Sequence, residues 1–136
     1  MKKTIKCNDI EFKIYVEDTD FQGVVYHANY LKYFERSRSE FLSDANISQK
    51  NLREKNTAFV IKGIKINYLK AAELGDLIVV QTSVEKKSKA RMIFYQNVIH
   101  KITGKEFVNG EVEVCFIDLT TKKPKKFPDD LLLIFD

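Results

Sequence analysis

Three carboxylates, Glu17, Asp18 and Asp20, stand just ahead of the segment Gly23-Val24-Val25-Tyr26-His27. A carboxylate can attack an electron-poor carbonyl carbon, or take the proton from a water that attacks it. Either route needs something to receive the negative charge that develops on the carbonyl oxygen. The start of a helix does this, because its first N–H groups have no partner within the helix and sit at the positive end of its dipole. Residues 28–45 supply such a helix. Tyr30, Leu31, Phe34, Phe41, Leu42 and Ala45 recur at three- and four-residue steps, with Lys32, Glu35, Arg36, Ser39, Glu40 and Ser43 on the other side. The spacing predicts one amphipathic helix of about five turns at 3.6 residues each. It should end near Asn46, a residue that tolerates the left-handed cap conformation.

That helix must cover a sheet, since it cannot bury its apolar stripe alone. Before it, within residues 4–16, Ile10, Phe12, Ile14 and Val16 alternate with Glu11, Lys13 and Tyr15 as in a half-buried strand. After it come strand-like stretches at 58–68, 77–85, 90–102 and 106–119. They are separated by Glu73-Leu74-Gly75-Asp76, Lys86-Lys87-Ser88-Lys89 and Thr103-Gly104-Lys105, turn compositions of a length that suits antiparallel neighbours. The last stretch sets Val108, Gly110, Val112, Val114 and Phe116 on one face and a largely wet set on the other. Residues 48–56 fit either a short polar helix or a loop, and 129–136 form a short terminal segment. The expected class is α+β, a five-stranded antiparallel sheet wrapped around one long helix.

The bulk numbers agree with a single domain spanning residues 1–136. Hydrophobic residues make up 44% and charged residues 31%, a globular balance. Met1-Lys2-Lys3 resembles the start of a signal peptide, but Lys6, Asn8, Asp9 and Glu11 interrupt the apolar run that would have to follow. No stretch approaches the ~18 apolar residues of a membrane span. The expectation is a cytoplasmic protein with free, buried Cys7 and Cys115. Metal binding is not expected, because Asp-x-Asp lacks the further oxygen ligands of a hard cation and the two cysteines have no nearby co-ligands. The net charge of +4 by itself selects no partner.

The segment Asp-Thr-Asp-Phe-Gln-Gly-Val-Val-Tyr-His-Ala-Asn-Tyr, followed by Phe-Glu-Arg-Ser-Arg-Ser-Glu, resembles the signature of the hotdog-fold acyl-CoA thioesterases of the 4-hydroxybenzoyl-CoA thioesterase type. The branch it is most similar to is the Tol-Pal-associated acyl-CoA thioesterases. The resemblance implies a helix enclosed by a five-stranded sheet, protomers joined edge to edge into homodimers, and dimers often paired into homotetramers. It places the catalytic carboxylate at Asp20, as nucleophile or as general base. It places Gly23, Val25, Tyr26 and His27 at the turn into the helix, with the His27 main-chain N–H polarising the thioester oxygen and the His27 side chain giving acid-base help or orienting the site. Thiolate is a good leaving group, so one carboxylate and one oxyanion donor suffice without a cofactor. Coenzyme A is then part of the substrate. Lys89 and Arg91 are the candidates for its phosphates, and Phe59 and Val60 for the acyl pocket.

Each assignment has a plainer alternative. Asp20 has the residue type of a turn or cap, and Asp18 and Glu17 are structural or electrostatic neighbours. Lys86, Lys87, Lys89 and Arg91 suit an ordinary exposed hairpin. Phe59 and Val60 suit the core, and His100 an exposed strand end. Glu35, Arg36, Arg38 and Glu40 fit a solvated helix face of weak pairs. Among other functions, hydration of acyl thioesters uses a differently placed Asp and His. A non-hydrolytic module that binds acyl carrier protein or a membrane-lipid enzyme complex would use the basic turns. Nucleic-acid binding lacks the interleaved aromatics it would need.

Overall fold

The computed structural model describes residues 4–136, so Met1-Lys2-Lys3 lies outside the described residues. The element order is β1 (Thr4–Lys6), β2 (Ile10–Lys13), a 3₁₀ turn (Val16–Asp18), α1 (Asn29–Asp44), α2 (Gln49–Glu54), β3 (Thr57–Tyr68), β4 (Leu77–Lys86), β5 (Arg91–His100), β6 (Glu106–Asp118) and α3 (Asp129–Phe135). One antiparallel sheet holds all the strands, with β1 and β2 both on β4, followed by β5, β6 and β3.

The sheet has six strands where the sequence suggests five. The expected first strand breaks at Asn8-Asp9, a turn-forming pair. From Lys6 to Ile10 the chain advances four residues while its partner moves only from Ser83 to Val80, so one residue bulges out. The Cys7 N–H to Thr82 carbonyl bond, 2.9 Å, keeps the kinked segment on the edge of β4. Residues 48–56 resolve as a short helix because Ser48 caps it, accepting from the Asn51 N–H at 3.2 Å.

Helix α1 ends as its sequence suggests. Asn46 adopts φ 62°, and the Ile47 N–H reaches back to the Leu42 carbonyl while the Asn46 N–H reaches Ser43. This is a Schellman closure, sealed by buried Ile47. Its inner face buries Tyr30, Tyr33, Phe34, Phe41 and Leu42 against the alternating inward residues of β4 and β5, among them Val80, Val84, Phe94 and Val98. Val112 and Val114 extend this core onto β6, as their alternation requires. Beyond them the alternation fails: Val114 to Ile117 are all buried. Residues 122–128 fold back along the edge of β6, with the Lys125 N–H on the Phe116 carbonyl, and buried Phe127 packs against Phe116 on the apolar side of the strand.

At Gly110 both the neighbouring strand β3 and helix α1 close in on β6. A Cβ there would lie 2.8 Å from the Lys65 carbonyl oxygen and 3.0 Å from the Phe34 ring. The carbonyl belongs to a paired strand and cannot swing aside. Gly110→Ala is therefore expected to destabilise the fold by about 1–3 kcal/mol, the usual cost of overpacking a filled core. Urea unfolding checks this, and an unchanged midpoint would show that β3 yields freely at this position.

Candidate active site

Asp20 sits at the first position of a tight turn. Its backbone carbonyl accepts from the Gly23 N–H at 3.1 Å, its Oδ1 accepts from the Gln22 N–H at 2.8 Å, and its own N–H reaches the Val24 carbonyl. Gly23 takes φ 79°, which closes the turn in a left-handed conformation that side-chain-bearing residues resist. The turn is anchored to the loop before β4: Val25 N–H donates to Ala72, Leu74 N–H donates to Gly23, and Ala72 N–H donates to the Tyr30 hydroxyl. Val25 and Ala72 are both buried, so the corner rests on the core while Asp20 remains exposed.

The chain then turns into α1 over buried Asp18, whose backbone carbonyl accepts from the Tyr26 N–H at 3.0 Å and from Asn29 Nδ2 at 2.8 Å. Among the described residues, the N–H groups of His27 and Ala28 find no acceptor, as expected one step ahead of a helix start. The His27 carbonyl accepts from the Tyr68 hydroxyl at 3.1 Å, and its ring lies between Tyr26, 4.4 Å away, and Tyr68, 6.2 Å away. Tyr26 and Tyr68 are about half exposed and Phe21 is fully exposed, giving the corner an apolar rim.

The buried carboxylate beside this corner is Asp18. Burial alone would raise its pKa. The Tyr15 N–H at 2.9 Å and Lys32 Nζ at 3.1 Å outweigh that and hold it below the ordinary aspartate value. Burial and the Asp18 charge together push the neighbouring Tyr33 phenol up. Asp18 is thus the strut of the loop that presents Asp20. Tyr68 lies far in sequence from the His27 carbonyl it holds, and no local pattern marks it.

Within one chain the expected site residues fall into two groups. Asp20, Gly23, Val25, Tyr26 and His27 gather where β4 begins. Phe59, Val60, Lys89 and Arg91 gather at the other end of the sheet, where Phe59 pairs with Phe116 and the Phe116 N–H reaches Ala90. The ten residues of β4 separate these ends by roughly 30 Å at about 3.4 Å per residue. Phe59 and Val60 line a cleft of about 130 Å³ between α1 and the sheet. Lys89 is exposed, while Arg91 and Lys87 both bind Glu113 and hold its carboxyl below the usual range. His100 is half-buried rather than exposed: its Nδ1 accepts from the Ile102 and Thr103 N–H groups, and Nε2 lies 3.7 Å from Asp76. Arg38 departs furthest from expectation. It is 8% exposed, four residues from both Phe34 and Leu42 on the apolar stripe, where its position alone could have marked it as inward-facing.

A larger cleft of about 470 Å³ lies on the outer face of the sheet, lined by Lys65, Gln81, Tyr95, Asn109 and Glu111 among others. Asn67, Asn97, Asn109 and Glu106 bond one another there, and none of the motif residues reaches it.

A family model for the thioesterase-like superfamily matches residues 14–135. An acyl-CoA thioesterase, YbgC of Haemophilus influenzae, is 40% identical over 124 residues, covering 90% of each chain. A solved structure of a probable thioesterase from Bartonella henselae is 34% identical, with a TM-score of 0.77 over 91% of this chain and 99% of that one. A 1,4-dihydroxy-2-naphthoyl-CoA thioesterase from Synechocystis superposes with a TM-score of 0.89 over 97% of this chain and 95% of that one, at 20% identity, a likeness of fold alone. With a matched model across nearly all of its length and a relative this similar, the chain belongs to the thioesterase-like superfamily, whose hotdog fold its antiparallel sheet and helix share.

Proposed function

We propose that the chain is an acyl-CoA thioesterase, hydrolysing an acyl thioester to the free acid and coenzyme A, with Asp20 as nucleophile or general base and the His27 N–H as oxyanion donor. The observation that carries this is the corner itself, where an exposed carboxylate and an N–H without an internal acceptor are presented by one loop braced on Asp18 and Ala72. Attack on the carbonyl carbon moves an electron pair onto oxygen, where the N–H stabilises it. Collapse of that intermediate breaks the carbon–sulfur bond and releases coenzyme A as thiolate. In the general-base route Asp20 takes the proton of the attacking water. In the nucleophilic route a mixed anhydride forms first and water then cleaves it.

A second copy completes the site. β3 is an edge strand whose flank exposes Ile61, Ile64, Tyr68 and Leu69, an arrangement that invites pairing. Antiparallel pairing of β3 with its own copy about its middle sets the 59–61 end of one protomer beside the Tyr68 end of the other. The two groups of site residues, far apart in one chain, then meet across the pair. Lys89 and Arg91 of one protomer serve the coenzyme A phosphates, and Phe59 and Val60 line its acyl cleft. The unit is a homodimer, with the outer sheet faces available to build a homotetramer. The Tol-Pal-associated branch, cytoplasmic location and acyl carrier protein as an alternative carrier complete this reading. No helix among the described residues is long and apolar enough to cross a membrane.

A panel of acyl-CoA substrates with free-thiol detection tests it. Turnover in the ordinary enzymatic range of about 1–1,000 s⁻¹ is expected on at least one substrate. Salt-sensitive retention of acyl carrier protein by a folded protein that releases no thiol would instead make it a binding module.

A further inference from the structure

The cleft lined by Phe59 and Val60 holds a feature that a simple hydrocarbon pocket would not. Its other apolar walls include Leu42, Ile61, Phe94 and Val114, and Arg38 and Glu35 also border it. Arg38 Nη1 donates to Gln96 Oε1 at 3.0 Å, and its guanidinium lies 6.0 Å from the centre of the Phe94 ring. Gln96 cannot turn away, because its Nε2 is committed to the Phe34 carbonyl at 3.0 Å and to Thr82 Oγ1 at 3.1 Å. A guanidinium carries five N–H donors. Among the described residues Gln96 is the one acceptor bonded to them, and no carboxylate lies within ion-pair distance. Glu35 acts on Arg38 only from farther off, and its Oε1 accepts from Ser39 Oγ.

A buried cation with so few partners is costly to desolvate, and a position on an apolar stripe is filled more stably by Leu or Met. A carboxylate entering the cleft would meet the free donors in the paired geometry that guanidinium favours. The volume of about 130 Å³ accommodates roughly six non-hydrogen atoms, by comparison with cavities of about 150 Å³ that take up benzene.

We propose that Arg38 determines acyl specificity, selecting short acyl groups that carry a second carboxylate at their far end. This rests on the thioesterase reading above, in which the cleft opens beside the Asp20 corner of the partner.

The test compares glutaryl-CoA with hexanoyl-CoA, similar in length and differing in terminal charge, with thiol release corrected for spontaneous hydrolysis. Wild type is expected to favour glutaryl-CoA in kcat/KM by about 10-fold or more, and Arg38→Met to lower the glutaryl-to-hexanoyl ratio by about 10- to 100-fold, the range for a charge-assisted pair. A wild-type preference for hexanoyl-CoA, or a ratio that Arg38→Met leaves unmoved, overturns the proposal. If Arg38→Met does not fold, the wild-type ratio alone decides. Hydrolysis of hexanoyl-CoA without glutaryl-CoA removes only the role of Arg38. A folded protein inert towards the whole acyl-CoA panel removes the thioesterase reading and this proposal with it.

Discussion

Asp20→Asn is expected to fold like wild type and to lose at least about 100-fold in kcat for acyl-CoA hydrolysis, within the range of about 10²–10⁴ usual for a positioned acid-base group. The substitution is chosen for what it preserves. Asparagine keeps a carbonyl oxygen where Asp20 Oδ1 now accepts from the Gln22 N–H, and it tolerates the same turn. The carbonyl that closes the turn onto Gly23 belongs to the backbone and is untouched. If Asp20 were only a turn residue, its amide would serve almost as well and turnover would barely change. Removing the negative charge abolishes both the nucleophile and the base while sparing the geometry. Matching circular dichroism and melting curves together with the rate measurement separate the two. Full hydrolysis by Asp20→Asn would move the chemistry elsewhere.

The parts of this molecule legible in the sequence are those whose cause is local. The period of α1, its end at Asn46, the turn at Gly23 and the four long strands each follow from residues within a few positions of one another. The bulge that splits the first strand is less legible, because it depends on the register against Ser83 and Val80 as well as on Asn8-Asp9. The buried end of β6 depends on a loop that returns from beyond residue 120 to cover it. At the site, the motif points to Asp20 and His27, but the grip of Tyr68 on the His27 carbonyl spans 41 positions and has no local signature. Arg38 was legible in principle. Its place between Phe34 and Leu42 on the stripe conflicts with its charge, and a conflict of that kind marks function more often than error.

Asp18→Ala is expected to cost about 3 kcal/mol of stability and to lower activity through the loop, with Asp20 intact. The carboxylate is 4% exposed and accepts two hydrogen bonds, one from the Tyr15 N–H and one, charge-assisted, from Lys32. Bonds to a charged group contribute about 1.5–3 kcal/mol each, the upper end being reserved for buried partners. Lys32 is about one-third exposed and can turn to water when Asp18 is lost, which keeps the cost below that of stranding a fully buried cation. For a domain of this size the loss corresponds to a fall of roughly 10 °C in Tm. The pH dependence gives a second signature. Because the folded-state pKa of Asp18 is depressed below its unfolded value, its contribution is fully present above the unfolded aspartate value of about 3.9 and is lost as pH falls through the lower folded value. The stability gap between wild type and Asp18→Ala should therefore hold across neutral pH and narrow in the acid range below about pH 4. Urea titrations from pH 3 to 7 measure it. A gap that stays constant down to pH 3 would mean that the Asp18 charge contributes nothing to the brace, leaving its backbone bonds to Tyr26 and Asn29 as the part of Asp18 that supports the corner.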